Sequence, residues 1–431
     1  MRRRLAGLVV FGLLAAACTS QAAPERESLP QVAAPTTTTT SPIVVSQTDT
    51  ARLADVAGRM LVLREDSSIV SMRADGSGLT EHAPPADADD GGRIIERSEP
   101  TWSPDGSQLA WTEHVGEDAY ELVIASADGA EVSRTTSPML AQYLDWAPDA
   151  GAIAFMGNDF FGAMTLAHAS AGDDAEIIDS GAPMYIDWSP TGERLLVHVE
   201  DRLEQIDPAG TLRERVDTEG QFRVGLYYGS QLLYSIPSGG LGEVLIANEI
   251  PGNPRPILAY SSPAAIVVEP RTGRIAAMST WNAEAVKFAE DPPTDFPALV
   301  PEQLSIVDPA TGELVVIHEG RAVSWSWNPD GSVLLFSTLE YIEDSQKIVW
   351  HSWDGADVTR YSHFTPTSRF GNSYLAFFDQ HERSTTRWSP DGEAFVYAGG
   401  IIDGPRGIWV QPLDDGEPIL VTDGINATWS P

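Results

Sequence analysis

Five residues decide the fold: Trp102-Ser103-Pro104-Asp105-Gly106. The same order returns as Trp388-Ser389-Pro390-Asp391-Gly392 and, with one change, as Trp327-Asn328-Pro329-Asp330-Gly331. Close variants are Trp188-Ser189-Pro190-Thr191-Gly192 and Trp146-Ala147-Pro148-Asp149, and Glu269-Pro270-Arg271-Thr272-Gly273 is a worn copy. The chain stops on half a motif, Trp429-Ser430-Pro431. Pro presets φ for the second position of a turn, Asp can bond the backbone two residues on, and Gly accepts a positive φ. Each copy therefore reads as a tight hairpin between antiparallel strands. Pro is excluded from central strands, so its recurrence at one phase marks strand ends. The Trp ahead of it is a large apolar wedge, expected to fill the seam between neighbouring sheets.

Short apolar strands follow each copy, as in Leu109-Ala110-Trp111, Leu195-Leu196-Val197 and Phe395-Val396-Tyr397. By that template Leu232-Leu233-Tyr234 is also a second strand, although its Trp and Pro are lost. Later in each unit comes a second turn signal, such as Asp75-Gly76, Asp128-Gly129, Asp354-Gly355 or Asp414-Asp415-Gly416. One unit is thus four strands joined by hairpins with no convincing helix, a propeller blade. Motif starts recur every 37 to 61 residues. The expected fold class is all-β, a β-propeller of eight four-stranded blades. Seven is the alternative, if the degenerate unit near Gly225 merges with a neighbour. The stranded Trp429 half motif would complete the blade begun by residues 59–72, closing the ring with the C-terminal strand and leaving no sheet edge. Two blades carry insertions, at about 283–301 and 362–384.

The repeated Trp-Ser-Pro-Asp-Gly turns, spaced this way over residues 55–431, resemble those of TolB-like β-propellers. The resemblance implies a binding platform in the cell envelope. It also extends to the propeller half of prolyl-oligopeptidase-type enzymes and to actinobacterial surface lipoproteins. TolB proteins carry an extra N-terminal α/β domain for which the N-terminal segment here leaves no room.

That segment suggests export. Arg2, Arg3 and Arg4 precede an uncharged apolar run at 5–17, too short to span a bilayer but the length of a signal-peptide core. Leu14-Ala15-Ala16-Ala17 then leads into Cys18, the only cysteine in 431 residues, where a bacterial lipoprotein carries its lipid. The expected division is a signal peptide at 1–17, a lipidated Cys18 with a Thr- and Pro-rich tether at 18–50, and the propeller at 51–431. Residues 19–50 hold too few large apolar side chains to repay ordering. The expected location is the extracytoplasmic face of the membrane, as a monomer. The charge is lopsided, with 27 Lys and Arg against 62 Asp and Glu, a net −35. Such a surface repels nucleic-acid phosphates, so no nucleic-acid partner is expected.

No catalytic constellation is legible. There is no Gly-x-Ser-x-Gly elbow, and the eight histidines show no metal-ligand spacing. Asp87-Ala88-Asp89-Asp90-Gly91 lacks the alternation and distal Glu of a calcium loop. No cofactor and no metal is expected. Two sets of residues stand out as binding candidates. The 362–384 insertion holds Tyr374, Phe377, Phe378, Asp379, His381, Glu382 and Arg383, aromatic anchors mixed with charge. The other reading is that Phe377 and Phe378 plug the channel or pack on the rim. The second set, Glu99, Asp145, Asp187 and Arg387, flanks the motif and would line the channel if the motif strand is innermost. The functional expectation is a surface lipoprotein that binds a protein, peptide or glycan. The alternatives are a propeller hydrolase or lyase with carboxylates at the channel mouth, and an accessory lipoprotein of a membrane sensor.

Overall fold

The computed structural model describes residues 50–431 except 87–93, 117–118, 160, 209–211, 219–224, 239–240, 248–251, 261–263, 281–295, 343, 402–403 and 415. The expected signal segment, Cys18, the expected tether up to 49, the acidic stretch 87–91 and most of the 283–301 insertion lie outside the described residues.

Strands form wherever a motif turn separates two apolar runs. Five sheets among the described residues have four antiparallel strands, one has five and one has seven. Tyr143–Trp146, Ala152–Asn158, Met164–Ser170 and Glu176–Ser180 make one such sheet, in chain order. Met184–Trp188 opens the next, Leu226–Tyr228 a third and Ala264–Val268 a fourth. The seven-stranded sheet begins at Ala322–Trp327 and carries on through Ala394–Gly400, because Thr365 and Pro366 pair with Gly400 and Gly399. Succession of antiparallel sheets in chain order is the arrangement of propeller blades. The last strand, Asn426–Trp429, does not join the sheet before it. It pairs with Met60–Leu63 near the start of the body, Val62 opposite Ala427.

The motif turns behave as their chemistry requires. Gly106 N–H donates to the Ser103 carbonyl at 2.9 Å with φ at +68°, and the Asp105 carboxylate accepts from Ser107 N at 3.0 Å. The later copies repeat this: Gly392 N donates to the Ser389 carbonyl at 2.8 Å and Gly331 N to the Asn328 carbonyl at 2.9 Å. The indoles occupy seams. Trp102 packs among Leu61, Leu63 and Ile69 of one sheet and Leu109 and Val123 of the next. Trp188 and Trp388 also anchor across a seam, their Nε1–H groups donating to the Asp145 carbonyl at 3.3 Å and to Ser326 Oγ at 3.1 Å.

The motif pattern offers no helix for the 362–384 insertion, and here the structure differs. The strand Val358–Pro366 runs further than expected, and the chain then turns into two short helices, α1 (Ser368–Asn372) and α2 (Phe378–His381), joined by a 3-10 turn at Leu375–Phe377. Thr367 caps α1, its hydroxyl accepting from Phe370 N at 3.1 Å.

Candidate functional site

Residues 367–385 leave the last strand of one blade unit and return to the first strand of the next. In an antiparallel sheet the first-to-second turns leave from one rim, and the links to the next sheet leave from the other. The segment therefore starts at the rim opposite the motif turns. From there it reaches inward and meets first strands belonging to sheets from the whole length of the body.

Each contact has a clear physical basis. The Gln380 side chain acts as a short piece of strand: its Nε2 donates to the Ile186 carbonyl and its Oε1 accepts from Ile186 N, both at 2.9 Å. Arg383 is ion-paired with Asp187 at 2.6 Å. Phe378 lies 4.4 Å from the Trp325 ring, and His381 meets Tyr143 edge-on at 5.3 Å. Arg369 bonds Glu99 at 3.1 Å, and Thr101 donates to the Ser384 carbonyl at 2.8 Å. Arg387 lies over the Tyr374 ring at 3.9 Å, a cation–π contact, while Tyr374 OH donates to Glu382.

The two candidate sets read separately from the sequence thus meet in one place. Glu99, Asp145, Asp187 and Arg387 are buried and face the insertion rather than an open channel. Tyr374, Phe378, Asp379 and His381 are buried as well, and Phe377 alone of the insertion's aromatics is half-exposed. The insertion occupies the interior; it does not present a flat aromatic surface.

Burial sets the protonation states. Burial, and then the nearby Asp187, pushes Asp145 up to about 8, against the pull of Arg383. Burial likewise raises Asp187, opposed by Arg383 and by Tyr227 N, which donates to it at 2.6 Å. Burial pushes Glu382 up to about 8, despite the Tyr374 hydroxyl and Arg387. Burial pulls His381 down to about 4, so its imidazole is neutral at pH 7. Glu382 and Asp145 are therefore carboxylic acids at neutral pH, able to donate a hydrogen bond.

Beside this cluster lies a cavity of about 450 Å³. Its walls are Tyr227 and Tyr228 from one sheet and Ile266, Val268 and Arg271 from the next; Asp379, Glu382 and Arg383 of the insertion also line it. The wall residues were not among the sequence candidates, although a signal was present. The two units that wall the cavity are the two whose motif has lost its Trp: the degenerate one at Gly225 and the worn copy at Glu269. Where no indole fills the seam, space remains. Glu269 instead caps its own turn, accepting from Arg271 N at 2.9 Å and from Thr272 N at 2.5 Å. The described residues hold no cluster of three or more side chains able to bind a metal ion.

No protein-family model matches this sequence, and no curated protein matches it. Solved structures do. The eukaryotic initiation factor is similar at 13% identity over 87% of this chain and 99% of that one, with a TM-score of 0.51. The β-propeller domain of the Trilobed protease from Pyrococcus furiosus is similar at 14% identity over 77% and 98%, TM-score 0.44. TolB from Acinetobacter baumannii is similar at 13% over 88% and 68%, TM-score 0.36. Likeness at such identities speaks to fold alone. The chain's own sheets make it all-β.

Proposed function

We propose that this chain is a lipid-anchored envelope protein whose body is an eight-bladed propeller, and that it binds a peptide or glycan in the cavity beside the insertion. The observation that carries the binding reading is the cavity itself. Its volume of about 450 Å³ falls in the range of small-ligand sites, and it combines apolar walls with a few convergent polar groups. Tyr227 and Tyr228 offer ring faces, their hydroxyls held by Gln205 and by the Gly273 carbonyl, and Arg271 is exposed at the wall. Ring closure is supported by the pairing of Asn426–Trp429 with Met60–Leu63, and the count by five four-stranded sheets, one of five strands and one of seven that spans two units. Lipidation of Cys18 and the extracytoplasmic location rest on the N-terminal sequence alone.

The test is affinity capture of the anchored protein from its own envelope fraction, with an Arg271→Ala, Tyr228→Ala variant beside it. A peptide or glycan recovered with the wild type and lost with the variant is the expected result. An identical set of bound molecules on both would overturn the assignment of the cavity. One observation favours a second reading, a hydrolase or lyase. Asp379 and Glu382 are three residues apart on one helical turn and line the same cavity, and Glu382 is held protonated. Recovery of a cleaved product in place of an intact ligand would favour that reading.

A further inference from the structure

We propose that the cavity takes the free end of a linear peptide, whose amide groups complete the strand edge at Ile266 as the Gln380 side chain completes it at Ile186. This rests on the binding reading of the cavity and narrows it to one ligand class.

The two positions correspond. Ile186 and Ile266 each stand four residues ahead of the motif proline, Pro190 and Pro270. Each lies on the first strand of its sheet, Ile186 opposite Val197 and Ile266 opposite Ala277. The turns that follow begin alike, with Ser189 N donating to the Arg194 carbonyl and Glu269 N to the Arg274 carbonyl, both at 2.8 Å. Backbone groups alternate along an antiparallel strand. Val267 and Glu269 therefore bond towards the second strand, and Ile266 and Val268 turn their N–H and C=O groups the other way. Ala264–Val268 is the edge of its sheet, so that other way leads off the sheet. At Ile186 the outward pair is taken by the Gln380 amide, at 2.9 Å on each side. Among the described residues no side chain bonds to Ile266, and the cavity lies against it. An extended peptide adds to such an edge through its main chain.

The walls favour a peptide over a glycan. Leu226, Ile266 and Val268 give a sugar's hydroxyls no partners, whereas a strand can lay apolar side chains against them at alternate positions.

Only a chain end fits. The insertion closes the inner end of the cavity, where Asp379, Glu382 and Arg383 line it, and Phe378, Gln380 and His381 around them are buried. The mouth lies at the motif-turn rim, where Gly229, Pro270, Arg271 and Thr272 are exposed. Tyr228 narrows it, because its hydroxyl donates to the Gly273 carbonyl at 3.0 Å and so bridges the two turns. A chain passing through would need a second opening. A loop folded back on itself would need room for two extended backbones about 4.8 Å apart, with their side chains. At the closed end, carboxyl groups and a guanidinium stand together, the groups that pair with a charged terminus.

The test offers the immobilised full-length protein a pool of random linear hexapeptides, and beside it the same pool cyclised head to tail. Retained peptides are identified and quantified by mass spectrometry. Linear peptides should be retained, and cyclic ones about tenfold less or weaker still. In the best-retained peptide, N-methylation at one internal amide, the donor to the Ile266 carbonyl, should lower retention about tenfold. Adding that peptide should slow hydrogen exchange in Ala264–Val268 and leave Leu334–Ile342 unchanged. Retention should fall in the Arg271→Ala, Tyr228→Ala variant, or in Arg271→Ala alone if the double variant does not fold. Three results would overturn the inference while leaving the cavity assignment standing, provided each is lost in the variant: equal retention of both pools, a retained peptide indifferent to N-methylation at every amide, or retention of envelope glycans in place of peptides. Retention that the variants do not change would overturn the cavity assignment and this inference together.

Discussion

Replacing Gln380 with alanine should destabilise the protein far more than the size of the side chain suggests. Gln380 and Ile186 are both buried, and the amide satisfies the carbonyl and the N–H of Ile186 at 2.9 Å each. A buried backbone group left without a partner costs about 1–3 kcal/mol, so the pair costs about 2–6 kcal/mol. Water entering the vacated space would recover part of this. The expected change is therefore about 3 kcal/mol, a shift in equilibrium of roughly a hundredfold or more. The assay is urea unfolding followed by tryptophan fluorescence, comparing midpoints at a common m-value. Phe377→Ala is the control: Phe377 is half-exposed on the same segment, and its loss should cost about 0.5 kcal/mol or less. If Gln380→Ala were as mild as Phe377→Ala, the insertion would not be docked on the Met184–Trp188 strand, and the description of a filled interior would fail.

The same contacts carry three further expected outcomes. Asp145 and Glu382 have folded values near 8, well above their ordinary 3.8 and 4.5, so the folded state holds more protons than the unfolded one between those limits. Their contribution is fully present below about pH 4 and is lost as pH rises towards 8, so thermal unfolding midpoints should fall across that window, and less so in Asp145→Asn. Gly331→Ala should cost about 1–3 kcal/mol by thermal unfolding, since Gly331 sits at φ +71° and an added Cβ would collide with the Glu269 carboxylate. Arg271→Ala should weaken capture of the cavity's ligand while leaving the unfolding midpoint unchanged, because Arg271 is an exposed wall residue.

What the sequence disclosed divides along a physical line. The turns were legible because Pro, Asp and Gly encode them locally: Gly106, Gly331 and Gly392 all close the expected hydrogen bond. The seam role of Trp102 was legible because one indole per unit leaves few other places for it. Even the degenerate unit was readable, since Leu226–Tyr228 and Gln231–Ser238 pair where the template put them. The helices of the insertion were not, because neither is long enough to show a hydrophobic period; their burial depends on the surrounding strands. Nor could the sequence bring Asp187 to Arg383, or Gln380 to Ile186, across nearly half the chain. The cavity was marked only negatively, by the missing indoles near Gly225 and at Glu269.

The central claim is that the body closes on itself through its last strand, with the insertion enclosed. In a Cys18→Ser background, a Val62→Cys, Ala427→Cys pair places two thiols on directly opposed positions of Met60–Leu63 and Asn426–Trp429. Oxidation should form the bond without loss of fold, and thermal unfolding should then be resisted by about 3–5 kcal/mol, because the bridge ties a very long loop. Thiols that stay free under oxidising conditions, or a bridge that forms only after denaturant is added, would contradict the closure.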